Sequence, residues 1–201
     1  SPEDPLLFAV GDGNHSLAAA KACWEEVKRG LTPQETVVHP ARFAMVELEN
    51  IHDDALRMEP IHRVLFGCDG DDLLDEIAAF AAAKGAGIAA GPQAQEITVV
   101  YEGKEVTLGI EGSPYKLAVG TLQAFLDGWL LSHPQARLDY IHGEDTVRTL
   151  VAGEGAVGFL LPTPERDRLF DTIRTEGALP RKTFSLGSAN EKRYYLECRR
   201  L

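Results

Sequence analysis

Three things are scarce in this chain, and each scarcity closes off a class of answer. Cysteines number three, Cys23, Cys68 and Cys198, widely spaced. An odd, scattered set builds neither a disulfide framework nor a paired metal site, so a reducing cytoplasm is the expected home. Long apolar runs are missing too: no stretch reaches the roughly 20 residues of a membrane helix, so no membrane association is expected. The opening Ser1-Pro2-Glu3-Asp4-Pro5 has neither the basic region nor the apolar core of a signal peptide. Positive charge is in deficit, with 20 Lys and Arg against 31 Asp and Glu and a formal net charge of −11. That balance opposes non-specific binding to nucleic acid or to an anionic surface.

Several catalytic signatures are absent as well. No Gly-Lys-Ser/Thr completes a Walker loop, and the three-glycine dinucleotide spacing does not occur. No nucleophile elbow is present. His15, His39, His52, His62, His133 and His142 show no close metal-ligand spacing, so no metal ligands are assigned.

What is present centres on Phe8-Ala9-Val10-Gly11-Asp12-Gly13-Asn14-His15-Ser16-Leu17. The apolar run Leu6 to Val10 reads as a short buried strand. The glycines around Asp12 make a turn that brings backbone close to a ligand. A helix then opens, with Ala20, Cys23, Trp24 and Val27 on one face and Gly30 as its stop. Strand, glycine turn and helix N-terminus together favour an anion, because the first helical N–H groups lack partners and the dipole is positive there. His15 and Ser16 add side-chain donors. The plainer alternative is a turn capped by Asn14 or Ser16.

The rest of the chain alternates strands and helices. Ala41 to Leu48 reads as a strand apolar on both faces, which suggests a βαβ-like start. His62-Arg63 sits in an apolar segment, 59–66; the histidine suits a hydrogen-bonded core, and a buried arginine needs an acid or a bound anion. Asp71 to Lys84 is an amphipathic helix, and 85–92 is a small-residue linker. Residues 96–102 and 105–110 flank Gly103-Lys104 as a β-hairpin. Leu117 to Leu131 is a helix for core packing or for subunit packing in a homo-oligomer. Strand 137–142, helix 144–152 and strand 156–161 follow, and Pro164 opens a helix capped by Thr163. Residues 192–199 read as a final strand, with Tyr194, Leu196 and Cys198 on one face. The expected fold is α+β, a mixed sheet with a hairpin and flanking helices, in a single compact unit over 1–201.

Charge is unevenly spread. Arg181, Lys182, Lys192, Arg193, Arg199 and Arg200 outnumber Glu191 and Glu197 in the last 21 residues. This basic tail either grips a small anion or guards a strand edge.

Five blocks carry a family resemblance: 10–18, His39-Pro40-Ala41-Arg42, Glu59-Pro60-Ile61-His62-Arg63-Val64, 179–185 and Lys192-Arg193-Tyr194-Tyr195-Leu196-Glu197. Together they resemble a bacterial family catalogued as a domain of unknown function. The resemblance implies that the chain is the C-terminal half of a longer protein. Gly13-Asn14-His15 is also similar to the Gly-x-His-Arg element of the ParB and sulfiredoxin-like superfamily, which opens a helix and holds nucleotide phosphates. Ser16 stands where that element has arginine, so other cations must substitute. The resemblance implies a phosphate or nucleotide ligand, ATP or ADP with magnesium, on Gly11, Gly13, Asn14, His15 and Ser16. Arg42, Arg63, Arg181, Lys182, Lys192 and Arg193 are the candidate cations. Asp12 and His15 are the catalytic candidates, Asp12 as a magnesium ligand or base, or as a simple turn residue. Phosphoryl transfer to a small hydroxyl metabolite needs mainly positioning and charge neutralisation; a non-catalytic nucleotide- or phosphometabolite-sensing module is the other class.

Overall fold

The computed structural model describes residues 6–11 and 13–187. They divide into two units, one within 1–57 that also takes in 186–187, the other 58–185.

The second unit is built on a seven-stranded sheet. In chain order its strands are β1 (Met58–Phe66), β2 (Gly87–Ile88), β3 (Gln95–Tyr101), β4 (Lys104–Glu111), β5 (Arg137–His142), β6 (Ala156–Leu160) and β7 (Phe184–Leu186). The spatial order is β2-β4-β3-β6-β1-β5, with β7 pairing β1. The ladders of β1 with β5 and β6, of β3 with β4 and β6, and of β2 with β4 are antiparallel. The α+β expectation therefore holds. The β3–β4 hairpin closes as the sequence indicates, with Tyr101 opposite Lys104 and Glu102 and Gly103 both at positive φ (48° and 75°). Two successive positive φ values match the twist of the flanking strands.

Alternation along the strands sorts side chains to two faces. Leu65, Ile97, Val99, Tyr101, Val157 and Phe159 bury against α3 (Gly70–Ala83) and α4 (Ala118–Ser132). Val64, Val100, Ala156 and Leu160 bury against Val147 and Val151, in and just after α5 (Glu144–Leu150). Each fully buried aliphatic or aromatic side chain contributes about 1.5–3 kcal/mol. Asp69 opens α3 by accepting from the N–H groups of Asp71 and Asp72, which satisfies two donors at the helix start. The final helix, α6 (Arg166–Glu176), starts two residues later than the Pro164 signal suggests. Residue Glu165 is extended, and Thr163 makes no cap. The linker 85–92 supplies the short β2.

The first unit holds α1 (Asn14–Lys28), α2 (Pro33–Val38) and a 3-10 turn at Pro40–Arg42. A reciprocal capping box between Thr32 and Glu35 opens α2. Trp24 stacks on His39, ring centroids 5.8 Å apart. Two sequence expectations fail here. Residues 6–10 and 43–48 are irregular, and Leu7, Phe8, Phe43, Met45, Val46 and Leu48 are exposed. No strand pairs with either segment among the described residues, so the βαβ-like start does not form there; alternation marks faces but supplies no ladder partner. The strand expected over 192–199 lies outside the described residues.

Gly158 is the tightest point of the sheet's α5 face. A Cβ there would stand 2.3 Å from Val147 Cγ1 and 3.5 Å from Val151 Cγ1. Gly158→Ala is expected to destabilise the protein by roughly 1–3 kcal/mol through overpacking, measured by urea unfolding. An unchanged midpoint would contradict this packing.

Candidate functional site

The glycine turn enters α1 through Gly13, whose backbone is left-handed (φ 79°, ψ 15°). A side chain would strain that conformation, so glycine belongs there. Gly13, rather than Asn14 or Ser16, is the cap residue, and its carbonyl accepts from Leu17 N at 2.9 Å. Asn14, His15 and Ser16 form the first turn and are all exposed. No acidic side chain lies in that first turn. Among the described residues, the first turn of this 15-residue helix is exposed and carries no acidic side chain, which suits an anion. Within the first unit, a Cβ on Gly11 would be 3.2 Å from Leu186 Cδ1. Asp12 lies outside the described residues, as do Lys192 and Arg193. Arg42, in the same unit, donates Nη1 to the Val37 carbonyl and stacks on Phe43.

Arg63, Arg181 and Lys182 belong to the other unit, and two of them meet. Arg63 is fully buried in β1. Its Nη1 donates to the Ile61 carbonyl, its Nη2 to the Arg181 carbonyl at 3.0 Å, and Nε and Nη2 both to Gln123 Oε1 at 3.4 Å. Gln123 Nε2 donates to Asp127 Oδ1 at 2.8 Å, and Arg181 Nη2 donates to the same oxygen at 2.8 Å. Arg181 Nε donates to the Tyr140 hydroxyl. Both guanidiniums lie near the Tyr140 ring, 5.2 Å and 5.9 Å from its centroid. Burial pushes Arg63 down to about 10, opposed by Tyr140 and Asp127 and reinforced by the positive charge of Arg181. It stays protonated at neutral pH. Arg63 therefore presents no donor to solvent; it holds the turn that carries Arg181. Lys182 is exposed, with a positive φ of 55°.

Gln123, Asp127 and Tyr140 are absent from the sequence-derived site. A signal existed: Gln123 and Asp127 are polar residues four apart, hence on one face of a mostly apolar helix. Their partners, 60 and 54 residues away along the chain, are not readable from spacing.

His62 occupies the opposite face of β1 and is a core residue, as its surroundings in the sequence indicate. It is 2% exposed, and its Nδ1 accepts from Leu161 N at 3.1 Å. A polar cleft of about 360 Å³ lies elsewhere in this unit, with Gln95, Ser113, Lys116 and Asp171 among its lining. Lys116 Nζ pairs with Asp171 there at 2.6 Å.

The model of a family described as "Protein of unknown function (DUF1015)" matches residues 3–130. No curated protein matches. Among solved structures, a mutant free serine kinase in complex with AMP is 16% identical with a TM-score of 0.50, covering 85% of this chain and 80% of that one. A conserved hypothetical protein from Pyrococcus furiosus is 12% identical with a TM-score of 0.48, covering 70% of this chain. A mutant free serine kinase in complex with ADP is 15% identical, TM-score 0.48. This chain spans 60% and 57% of those last two. At these identities the likeness is one of fold.

The buried His62 makes stability depend on pH. Burial holds its pKa below the ordinary imidazole value, with the Glu144 charge opposing. The unfolded state, titrating near 6.5, then binds more protons than the folded state as pH falls through that value. Stability from this group is complete above about pH 7 and declines below about 6.5, by at most ~1.4 kcal/mol per pH unit. Chemical denaturation between pH 5 and 8 should show that slope, and His62→Asn should reduce it. An identical slope in the variant would refute this assignment.

Proposed function

The chain belongs to the family described as "Protein of unknown function (DUF1015)", and from that premise we propose that it binds a phosphate-bearing ligand, a nucleotide, on the Gly11 to Ser16 turn. The observation that carries this reading is the exposed first turn of α1, residues 14–16, which holds no acidic side chain and is entered through a left-handed glycine. Two further points support it. Gly13-Asn14-His15 is similar to the Gly-x-His-Arg phosphate element of the ParB and sulfiredoxin-like superfamily. The fold is shared with a free serine kinase solved in complex with AMP.

The reaction class we infer is phosphoryl transfer from ATP or ADP, with magnesium, to the hydroxyl of a small metabolite. Backbone N–H groups of the turn and the His15 side chain would hold phosphate oxygens, and Asp12 would serve as base or magnesium ligand. Helix-terminus electrostatics contribute roughly 0.3–2 kcal/mol. Even millimolar affinity takes about 4 kcal/mol, so the reading requires cations. Arg42, Lys192 and Arg193, which fall in the same unit as the turn, are the candidates. The second reading, a nucleotide- or phosphometabolite-sensing module without turnover, is favoured by Ser16, which replaces the arginine of the related element.

Calorimetric titration with ADP, ATP and CTP, with and without magnesium, tests the binding. His15→Ala is expected to weaken the bound nucleotide about tenfold, the loss of one hydrogen bond to a charged oxygen. Its melting temperature should not change, because the side chain is exposed. No binding at millimolar nucleotide, or equal affinity of the variant, would sink the role of this turn. Turnover of ADP or ATP with a panel of hydroxyl metabolites separates the two readings: none would leave the sensor.

A further inference from the structure

The polar ring formed by Arg63, Gln123, Asp127 and Arg181 closes on itself through the Arg181 carbonyl. Two guanidiniums and one carboxylate take part, so the ring carries an excess positive charge, and Lys182 is the next residue along. The two arginines play different parts. Arg63 is buried with Nε, Nη1 and Nη2 all engaged. The Arg181 side chain is 58% exposed, and its Nη1 makes no hydrogen bond or ion pair among the described residues.

The backbone of Arg181 is held independently of its side chain. Arg63 Nη2 holds its carbonyl, and Thr183 Oγ1 donates to the Pro180 carbonyl at 2.6 Å, closing the turn. The guanidinium can therefore swing without moving the chain that carries it. Asp127 is equally well placed to give up its partner. Its Oδ1 also accepts from Gln123 Nε2, so that oxygen keeps a donor when Arg181 leaves, and the half-exposed side chain is open to solvent.

We propose that Arg181, with Lys182, is a binding site for a phosphate group, and that Asp127 is its internal counter-ion, pairing with Arg181 in the empty site and exchanging for the incoming phosphate. A phosphate offers a guanidinium the same planar two-oxygen face as a carboxylate, with more negative charge. It matches the ring's excess positive charge, which a single carboxylate leaves over. Tyr140 keeps the guanidinium in range during the exchange through its hydroxyl and ring face. The proposal rests on the reading of Arg181 and Lys182 as cations for a phosphate ligand, and extends it by giving Asp127 a competing role. The phosphate could be that of a nucleotide, a phosphorylated product or the free ion.

The test uses the full 201-residue chain at fixed ionic strength, with inorganic phosphate and ADP as separate probes. Affinities are read by phosphorus NMR for phosphate and by calorimetry for ADP. Removing the competing carboxylate charge in Asp127→Asn should tighten phosphate binding roughly fivefold to tenfold, the scale of one unit charge a few ångströms away in solvent. Arg181→Gln should abolish that binding, and Arg181→Lys, which keeps charge but loses the fork, should retain part of it. Both sites are on the surface, and circular dichroism and melting temperature confirm the fold. Tightening by phosphate alone assigns the free ion, and tightening by both probes assigns the phosphate group of a nucleotide; either supports the proposal. Unchanged or weaker binding by Asp127→Asn for both probes, wild-type binding by Arg181→Gln, or no saturable binding of either probe overturns it. The turn reading fails separately. Loss of ADP binding in His15→Ala with no effect of Asp127→Asn leaves the turn and removes this site; the reverse pattern does the opposite.

Discussion

A guanidinium sealed inside a β-sheet is the constraint on which most of the second unit depends. Arg63 sits in β1, a strand flanked by β5 and β6, with no water to satisfy its donors. An unpaired buried charge is far too costly to keep, so the fold must bring oxygens to it. It does so from three places: the Ile61 carbonyl on the same strand, Gln123 on α4, and the Arg181 carbonyl from a turn 118 residues away. This explains a glutamine 4% exposed on the most apolar helix of the molecule. It also explains why the segment after α6 returns to β1, where Thr183 O accepts from Ile61 N at the start of the β7 pairing. A structural requirement of the core thereby fixes where Arg181 stands.

The first unit is organised differently. None of its described residues is buried, and its helices are fixed by capping and stacking rather than by a core. Local hydrogen bonds of this kind are worth about 0.5–2 kcal/mol each. The first turn of α1, entered through glycine, is exposed and carries no acidic side chain. A ligand that ordered this unit would add its binding free energy to stability by mass action.

Legibility followed the range of the physics involved. The hairpin at Gly103, α3, α4, β5, α5 and β6 all rest on patterns within about fifteen residues of sequence, and all are readable; the Asp69 cap of α3 is not part of that reading. The start of α1 was readable for the same reason, although the cap is Gly13 and not a polar side chain. The segments 6–10 and 41–48 carry strand patterns, yet a strand exists only with a ladder partner, which no local pattern specifies. The two-residue β2 and three-residue β7 are too short to show periodicity. Arg63 was suspected of needing an anion; its true partners are neutral oxygens and the Tyr140 ring, contributed by residues that look unremarkable in the sequence. The Arg63 network was hidden because it is built from non-local contacts.

The central claim is that a nucleotide phosphate sits on the α1 N-terminus. The most direct measurement is a titration of isotope-labelled protein with ADP, following every backbone amide. The amides of Asn14, His15 and Ser16 should show the largest saturable shifts, because a phosphate oxygen would accept from those N–H groups. Undisturbed amides at 14–16, with the largest shifts instead around Gln95, Ser113 and Lys116, would contradict the account and move the ligand to the cleft beside α6.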